Sequence, residues 1–257
     1  MRLLVTRPAA DAVPLAEQLA ALGHDIIISP VIHIEANDTP LPEPESVQAL
    51  VFTSANGVRA MAARFADKRD YDLWAKKPAY AVGPQTCTAL AKLHWPRVHQ
   101  AAGDVESLAA TLKESFGGTH ILHIAGRHQA GNLAGLLSQT SISLEKAVLY
   151  QAVAAEALTP LAESALTDEE APLDAALLYS KRSAQIFVSL YRAHYRAQYR
   201  AQYRAQHRAQ ISDLGTSKPT AYCLSAPIAD QMQLAGFPVR TAATPDHEGM
   251  LQLIATA

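Results

Sequence analysis

The stretch Leu144–Ala155, LEKAVLYQAVAA, decides how the rest of the chain is organised. Its apolar run around Val148 and Leu149 is typical of a β-strand. Tyr150, at the centre, combines an apolar ring with a hydroxyl that keeps its proton at neutral pH. Because the stretch lies where one half of the sequence passes into the other, we expect the two halves to close around it. The Tyr150 hydroxyl is then predicted to face the cleft between the halves rather than a core.

The composition is that of an ordinary globular protein. The chain has 257 residues, of which 49% are hydrophobic and 18% charged, and its formal net charge is −2. This length suits two domains of about 120 residues each, or one large domain. The balance of charge gives no reason to expect nucleic acid or a membrane, and every apolar run is shorter than the roughly 20 residues that a membrane span needs.

The N-terminus and the two cysteines together favour a reducing compartment. The N-terminal stretch MRLLVTRPAADAV shows no signal-peptide pattern. Cys87 and Cys223 stand alone in apolar surroundings, as expected of buried thiols rather than of a disulfide framework or a zinc site. We therefore expect a cytoplasmic protein.

Strand, turn and helix patterns alternate along the chain. The predicted strands lie at 3–6, 26–28, 50–53, 79–82, 122–124, 177–180 and 221–225. Leu15, Leu19 and Leu22 share one face of the first predicted helix, which Gly23 ends, and Asp104 is the predicted N-cap of a later one. This alternation favours an α/β fold with parallel sheets flanked by helices.

The second half of the chain repeats the pattern of the first. Residues 122–127 resemble the opening strand with Arg7, 177–180 resemble 51–54, 221–225 resemble 79–83, and 246–248 resemble 104–106. The offset between matching positions rises by about 16 residues after the second pair. We therefore predict two similar α/β domains, with an insertion in the later half.

A tetrapeptide repeat supplies that insertion. Residues 191–210 read YRAH-YRAQ-YRAQ-YRAQ-HRAQ, a sequence of good helix formers. Because each helical residue turns about 100°, the tyrosines drift by about 40° per copy and cannot all face one core. We predict a solvated helical protrusion within the first domain. Its arginines offer a surface for an acidic partner, but a neutral expansion of the repeat is the preferred explanation.

Common cofactor, metal and nucleophile motifs are absent. The chain has no GxGxxG, GxSxG, HExxH or CxxC motif. The segment 126–131 has the glycine spacing of a phosphate-binding loop, but Asn132 and Leu133 replace the required Lys-Ser/Thr. The ten histidines show no metal-ligand spacing, and His123 is predicted to be a core residue. The sequence therefore predicts neither a metal site nor a cofactor.

Hydroxyl side chains recur where strands give way to helices. They belong to Thr53, Ser54, Thr86, Ser180 and Ser225. Ligands of parallel α/β sheets bind outside the carboxyl ends of the strands, where helix N-termini offer free N–H groups to anions. Two such sheet edges suit a polyanionic ligand, whereas helix capping alone explains any single hydroxyl.

Four segments together resemble the uroporphyrinogen-III synthase family. They are LLVTRPAADA at 3–12, VFTSANGVRA at 51–60, AYAVGPQTCTAL at 79–90 and AVLYQAV at 147–153. The resemblance implies two α/β domains joined by a two-stranded linker, the first from residues 1–34 and 154–257 and the second, inserted, from 35–153. It also implies cyclisation of hydroxymethylbilane to uroporphyrinogen III, with inversion of ring D and loss of water, without cofactor or metal.

The resemblance assigns the chemistry to Tyr150. Its phenol, with an ordinary pKa of about 10, can give a proton to the leaving hydroxymethyl oxygen. A tyrosine that only packs in the linker is the alternative. The substrate carboxylates are expected to be held by backbone N–H groups, by the five hydroxyls above, and by Arg7 and Arg127. The turns at 178–182 and 224–227 depart from the family pattern.

Two other classes of protein remain as alternatives. A non-catalytic two-lobed small-molecule binding module shares this domain plan, but a secreted one would normally carry a signal peptide. A nucleotide-sugar transferase also has two α/β domains, but they are usually larger. For the synthase, we expect a monomer, with hand-over of the substrate from hydroxymethylbilane synthase.

Overall fold

The protein is described from a computed structural model, which describes residues 1–129, 131–205 and 218–256. The chain divides into two compact units. Unit 1 contains residues 1–33 and 153–257, and unit 2 contains residues 34–152. The chain passes between the units one residue earlier at each crossing than the sequence predicts.

The described residues form strands and helices that alternate along most of the chain. The strands are β1 (Arg2–Val5), β2 (Asp25–Ile28), β3 (Ile32–Ala36), β4 (Ala49–Phe52), β5 (Ala79–Ala81), β6 (Val98–Gln100), β7 (His120–Gly126), β8 (Ser143–Ala154), β9 (Ala175–Leu178), β10 (Thr220–Cys223) and β11 (Val239–Thr241). The helices are α1 (Ala9–Ala21), α2 (Ala55–Ala62), α3 (Lys68–Ala75), α4 (Pro84–Lys92), α5 (Val105–Ser115), α6 (Leu133–Leu137), α7 (Pro160–Leu166), α8 (Lys181–Ala205), α9 (Ala226–Leu234) and α10 (His247–Ala255). A short 3₁₀ turn covers Pro44–Ser46. The alternation is interrupted where β3 follows β2 directly and where α3 follows α2 directly.

Unit 1 contains a five-stranded sheet in the order β11-β10-β9-β1-β2, with parallel pairing throughout. Leu3, Leu4 and Val5 of β1 have no exposed surface, because helices cover both faces of a parallel sheet. One detail of the predicted first helix is wrong. Helix α1 ends at Ala21, and Leu22 is the C-cap with 62% of its surface exposed rather than a core residue.

The first copies of the tetrapeptide repeat lie in helix α8 of unit 1. Tyr191 is 7% exposed, and its ring centroid lies 4.9 Å from that of Phe237. The Tyr195 hydroxyl donates to the Leu166 carbonyl at 2.7 Å. The first two tyrosines therefore pack onto unit 1. Residues 206–210 of the predicted protrusion lie outside the described residues.

Unit 2 repeats this plan with one additional edge strand. Its six-stranded sheet has the order β3-β8-β7-β4-β5-β6, and its β7–β8, β4–β7, β4–β5 and β5–β6 pairings are parallel. Strands β4, β5, β6, β7 and β8 thus occupy the places that β9, β10, β11, β1 and β2 have in unit 1. The predicted α/β fold of two similar units is confirmed. The strands correspond between the two units as the repeated sequence pattern predicts.

Both faces of the unit 2 sheet are covered by helices. Phe52 and Leu122 pack with Leu90 of α4 on one face, and Val51 packs with Leu108 of α5 on the other. The predicted N-cap of α5 is confirmed, because the Asp104 carboxylate accepts a hydrogen bond from the Ser107 backbone N–H at 2.7 Å. The strands are therefore held rigidly, and their carboxyl ends present the next residues at fixed positions.

Candidate active site

A crevice is expected at the switch point of each sheet, where neighbouring strands have chain connections that run in opposite directions. In unit 2 this point lies between β7 and β4, which pair directly. Thr53 and Ser54 follow β4, and Gly126 and Arg127 lie at the end of β7. The predicted hydroxyl pair Thr53-Ser54 is thus beside the strand end that carries Gly126.

A β-bulge directs Tyr150 toward this point. Ala125 of β7 pairs with Val148 of β8, but the next residue, Gly126, pairs with Tyr150, so that Leu149 is the additional residue. A bulge reorients the side chains that follow it. Leu149 is 1% exposed in the core, whereas Tyr150 is half-buried.

The Tyr150 phenol forms a hydrogen bond with Ser54. The two hydroxyl oxygens are 2.7 Å apart, and either can be the donor. The Ser54 oxygen also accepts the Gly57 backbone N–H at 3.1 Å, which makes Ser54 the N-cap of α2. The phenol therefore lies at the N-terminus of α2, the positive end of its helix dipole.

Gly126 leaves the space that the ring of Tyr150 occupies. A Cβ atom at this position would lie 2.6 Å from Cζ and 2.9 Å from the hydroxyl oxygen of Tyr150. Only a residue without a side chain allows the ring to lie here. In the sequence this glycine belongs only to a phosphate-loop pattern that lacks the required Lys-Ser/Thr, and its position at the end of a predicted strand is the available signal for its role.

His123 lies behind the hydroxyl pair. It is 2% exposed in β7, as predicted for a core residue, and its Nε2 is 3.1 Å from the Thr53 hydroxyl oxygen. Burial, together with the nearby charge of Lys146, lowers the pKa of His123 to about 4. The imidazole is therefore neutral at neutral pH, when it can donate at one nitrogen and accept at the other.

This low pKa predicts a pH-dependent contribution to stability. The pKa of His123 is about 4 in the folded protein against an ordinary 6.5, so the unfolded chain binds more protons between these values. Stability from this group is complete above pH 6.5 and declines as the pH falls toward 4. The decline is about 2 kcal/mol between pH 7 and pH 5. Urea unfolding of the wild type and of His123→Gln across this range measures the free energy of unfolding, which should decline less steeply with falling pH in the variant. Equal slopes in the two proteins would contradict the role of His123 in this decline.

The other predicted contacts in unit 2 differ in accessibility. Thr86 lies in the first turn of α4 and is only 3% exposed, whereas Arg127 is exposed. The Arg127 backbone N–H donates to the Tyr150 carbonyl at 2.9 Å, so Arg127 lies beside strand β8.

In unit 1, Arg7 follows β1 at the corresponding switch point between β1 and β9. Its guanidinium is 3.2 Å from the Asp11 carboxylate and 4.5 Å from the ring centroid of Tyr179. Burial raises the pKa of Tyr179 to about 12, and the nearby Arg7 charge opposes part of this rise. Arg7 is therefore held in one orientation by an ion pair and a cation–π contact.

The two predicted serines of unit 1 are used differently. The Ser180 hydroxyl accepts the Ser183 backbone N–H at 3.0 Å, so it has a local capping role in α8. Ser225 occupies the N-cap position of α9, but its side chain makes no capping hydrogen bond. Its half-buried hydroxyl is thus not engaged by its own helix.

Within the described part of the chain, no group of His, Cys, Asp and Glu side chains could hold a metal ion. Among those same residues, no helix combines the length and apolar character needed to cross a membrane. Cys87 and Cys223 are both free thiols. Cys223 is buried, as predicted, whereas Cys87 is only half-buried.

Comparison with known proteins identifies the family. The model of the family "Uroporphyrinogen-III synthase HemD" matches residues 13–252. Uroporphyrinogen-III synthetase from Helicobacter pylori has the same fold, with a TM-score of 0.64, 19% identity, and coverage of 100% of this chain and 99% of that one. A mutant uroporphyrinogen III synthase from the extremely thermophilic bacterium Thermus thermophilus matches with a TM-score of 0.51, 18% identity, and coverage of 100% and 98%. No curated protein sequence matches.

Fold and family match together define a cyclising lyase of tetrapyrrole biosynthesis, built from two α/β units. The chain belongs to the uroporphyrinogen-III synthase family. It converts hydroxymethylbilane to uroporphyrinogen III, with inversion of ring D and loss of water, on the route to heme.

Proposed function

We propose that Tyr150 is the general acid of this cyclisation. The C–O bond of the substrate hydroxymethyl group breaks, its oxygen takes the phenolic proton, and it leaves as water. The inverted terminal ring attacks the electron-deficient carbon that remains and forms the new C–C bond. The proton that this ring then loses returns to the phenolate and regenerates Tyr150. The observation that supports this role is the 2.7 Å contact between the Tyr150 and Ser54 hydroxyls at the N-terminus of α2.

Ser54 stabilises the phenolate that forms when Tyr150 gives up its proton. Its oxygen already accepts the Gly57 N–H, so its own proton is available to the phenolate oxygen 2.7 Å away. Hydrogen bonds to an ionised acceptor are stronger than those between neutral groups. The positive end of the α2 dipole acts in the same direction. Both effects favour the charge that develops as water departs.

The substrate carboxylates are bound by polar groups at the carboxyl ends of the strands. We assign this role to backbone N–H groups and to Thr53, Thr86 and Arg127 in unit 2, and to Arg7, Ser180 and Ser225 in unit 1, whereas the single Ser54 proton serves the phenolate. Arg7 is pre-oriented by Asp11 and Tyr179, and the Ser225 hydroxyl has no capping duty in α9. Pre-oriented groups lose less conformational entropy when they bind. When these groups hold the flexible bilane in one conformation, the inverted ring attacks before simple head-to-tail closure can occur.

The enzyme is proposed to act as a cytoplasmic monomer without metal or cofactor, and to take its substrate from hydroxymethylbilane synthase. The free thiols of Cys87 and Cys223 suit a reducing compartment. Proton transfer from a phenol needs no Lewis acid, because the phenol itself supplies the proton to the leaving oxygen.

A coupled assay tests this proposal. The purified protein is dialysed against EDTA and given hydroxymethylbilane generated in the same cuvette, and the product isomers are separated. We expect mainly the type III isomer, at a rate that EDTA does not change. The non-catalytic binding module, in contrast, predicts only the type I isomer that forms in buffer. A rate restored only by added metal would contradict the metal-free mechanism.

A further inference from the structure

His123 is a buried polar group that the chemistry above does not use. It lies within β7, directly between its register partners Val51 of β4 and Lys146 of β8. Burial of a polar side chain among apolar neighbours is unfavourable unless it forms a hydrogen bond. Its Nε2 forms a hydrogen bond with the Thr53 hydroxyl oxygen at 3.1 Å.

This contact acts at the turn that carries Ser54. Thr53 is the single residue between Phe52, the last residue of β4, and Ser54, the N-cap of α2. A side chain held on one side of this turn restricts the backbone that orients the next residue. The Ser54 hydroxyl, in turn, contacts the Tyr150 phenol at 2.7 Å.

The imidazole is suited to a fixed role of this kind. With its pKa lowered to about 4 by burial and by Lys146, it keeps one protonation state through the neutral range. The His123 side chain has few rotatable bonds and is buried within the sheet. It therefore loses little conformational entropy when it holds Thr53. A leucine at this position would fill the space but leave the Thr53 hydroxyl without this partner.

We propose that His123 is a positioning residue of the synthase, which holds Thr53 so that Ser54 stays in contact with Tyr150. It touches no reacting atom and acts through the turn Thr53-Ser54. The inference rests on the proposed role of Tyr150 as proton donor, and it adds the group that keeps the Ser54–Tyr150 pair aligned.

Kinetics of single and double variants test the proposal. His123→Leu should lower kcat about tenfold, because the Ser54–Tyr150 pair loses its alignment. His123→Gln, whose amide reaches the same position as Nε2, should recover most of kcat. Thr53→Val should lower kcat as well, and the double variant His123→Leu/Thr53→Val should be no slower than Thr53→Val alone.

A control separates alignment from simple loss of packing. Ile121, another fully buried residue of β7, is changed to Val, which should lower the unfolding temperature but leave kcat unchanged. The proposal fails if folded His123→Leu keeps its kcat, if Gln gives no rescue, or if the effects of His123→Leu and Thr53→Val are additive. Failure of the proton-donor role can be distinguished from failure of the positioning role. In that case Tyr150→Phe would retain the wild-type rate, independently of the results for the His123 variants.

Discussion

Tyr150→Phe is expected to lower kcat for uroporphyrinogen III formation by about 100-fold, the range of a lost general acid. The phenylalanine ring can still rest on Gly126, and the Ser54 hydroxyl still caps α2 through the Gly57 N–H. Only the proton that the leaving oxygen needs is missing. KM should therefore change little, while the type I isomer from spontaneous closure becomes a larger share of the product. The measurement is the initial rate and isomer ratio in the coupled assay.

Tyr80→Phe is the matched control for this variant. Tyr80 is a tyrosine of the same unit, 1% exposed and stacked on His99 at a centroid distance of 4.5 Å. Removing its hydroxyl should leave kcat unchanged, because it lies in β5 and contacts none of the proposed reacting groups. If Tyr150→Phe keeps the wild-type rate and isomer ratio while folded, Tyr150 is not the proton donor, although the family membership stands.

Gly126→Ala is expected to lower kcat by about 10-fold or more through displacement of the phenol. The new Cβ would lie 2.6 Å from Cζ of Tyr150, a distance that atoms cannot keep, so the ring must move. Because it can swing away from the strand, the loss of unfolding free energy should be only about 1–3 kcal/mol. Moving the ring breaks the 2.7 Å contact with Ser54. Steady-state kinetics and thermal unfolding measure the two effects separately.

Two further variants make this prediction specific. Gly117→Ala places a Cβ where no atom lies within 4 Å, so it should leave both kcat and stability unchanged. In the Tyr150→Phe background, Gly126→Ala should cause little additional loss of rate, because the phenol that it displaces is already absent. Additive losses in the double variant would indicate that Gly126 acts on the reaction by some route other than Tyr150.

Local sequence patterns were sufficient to predict the class of fold. Apolar strand runs, helical spacing and the N-cap at Asp104 depend on neighbouring residues, and the structure confirms them. The repeated order of these patterns predicted which strand of one unit corresponds to which strand of the other. The error at Leu22 has a local cause, because α1 ends before a glycine with φ of +86° and leaves that side chain in solvent.

Local residue patterns predict two similar α/β units, a tyrosine in a strand near their junction, and hydroxyls at strand ends. The contacts of Tyr150 with Ser54, 96 residues away, and of His123 with Thr53, 70 residues away, follow from the tertiary structure alone. Such contacts depend on strand order and on the register between β7 and β8, including the additional residue Leu149. Register between distant strands is set by the packing of whole sheets, and no local pattern contains it.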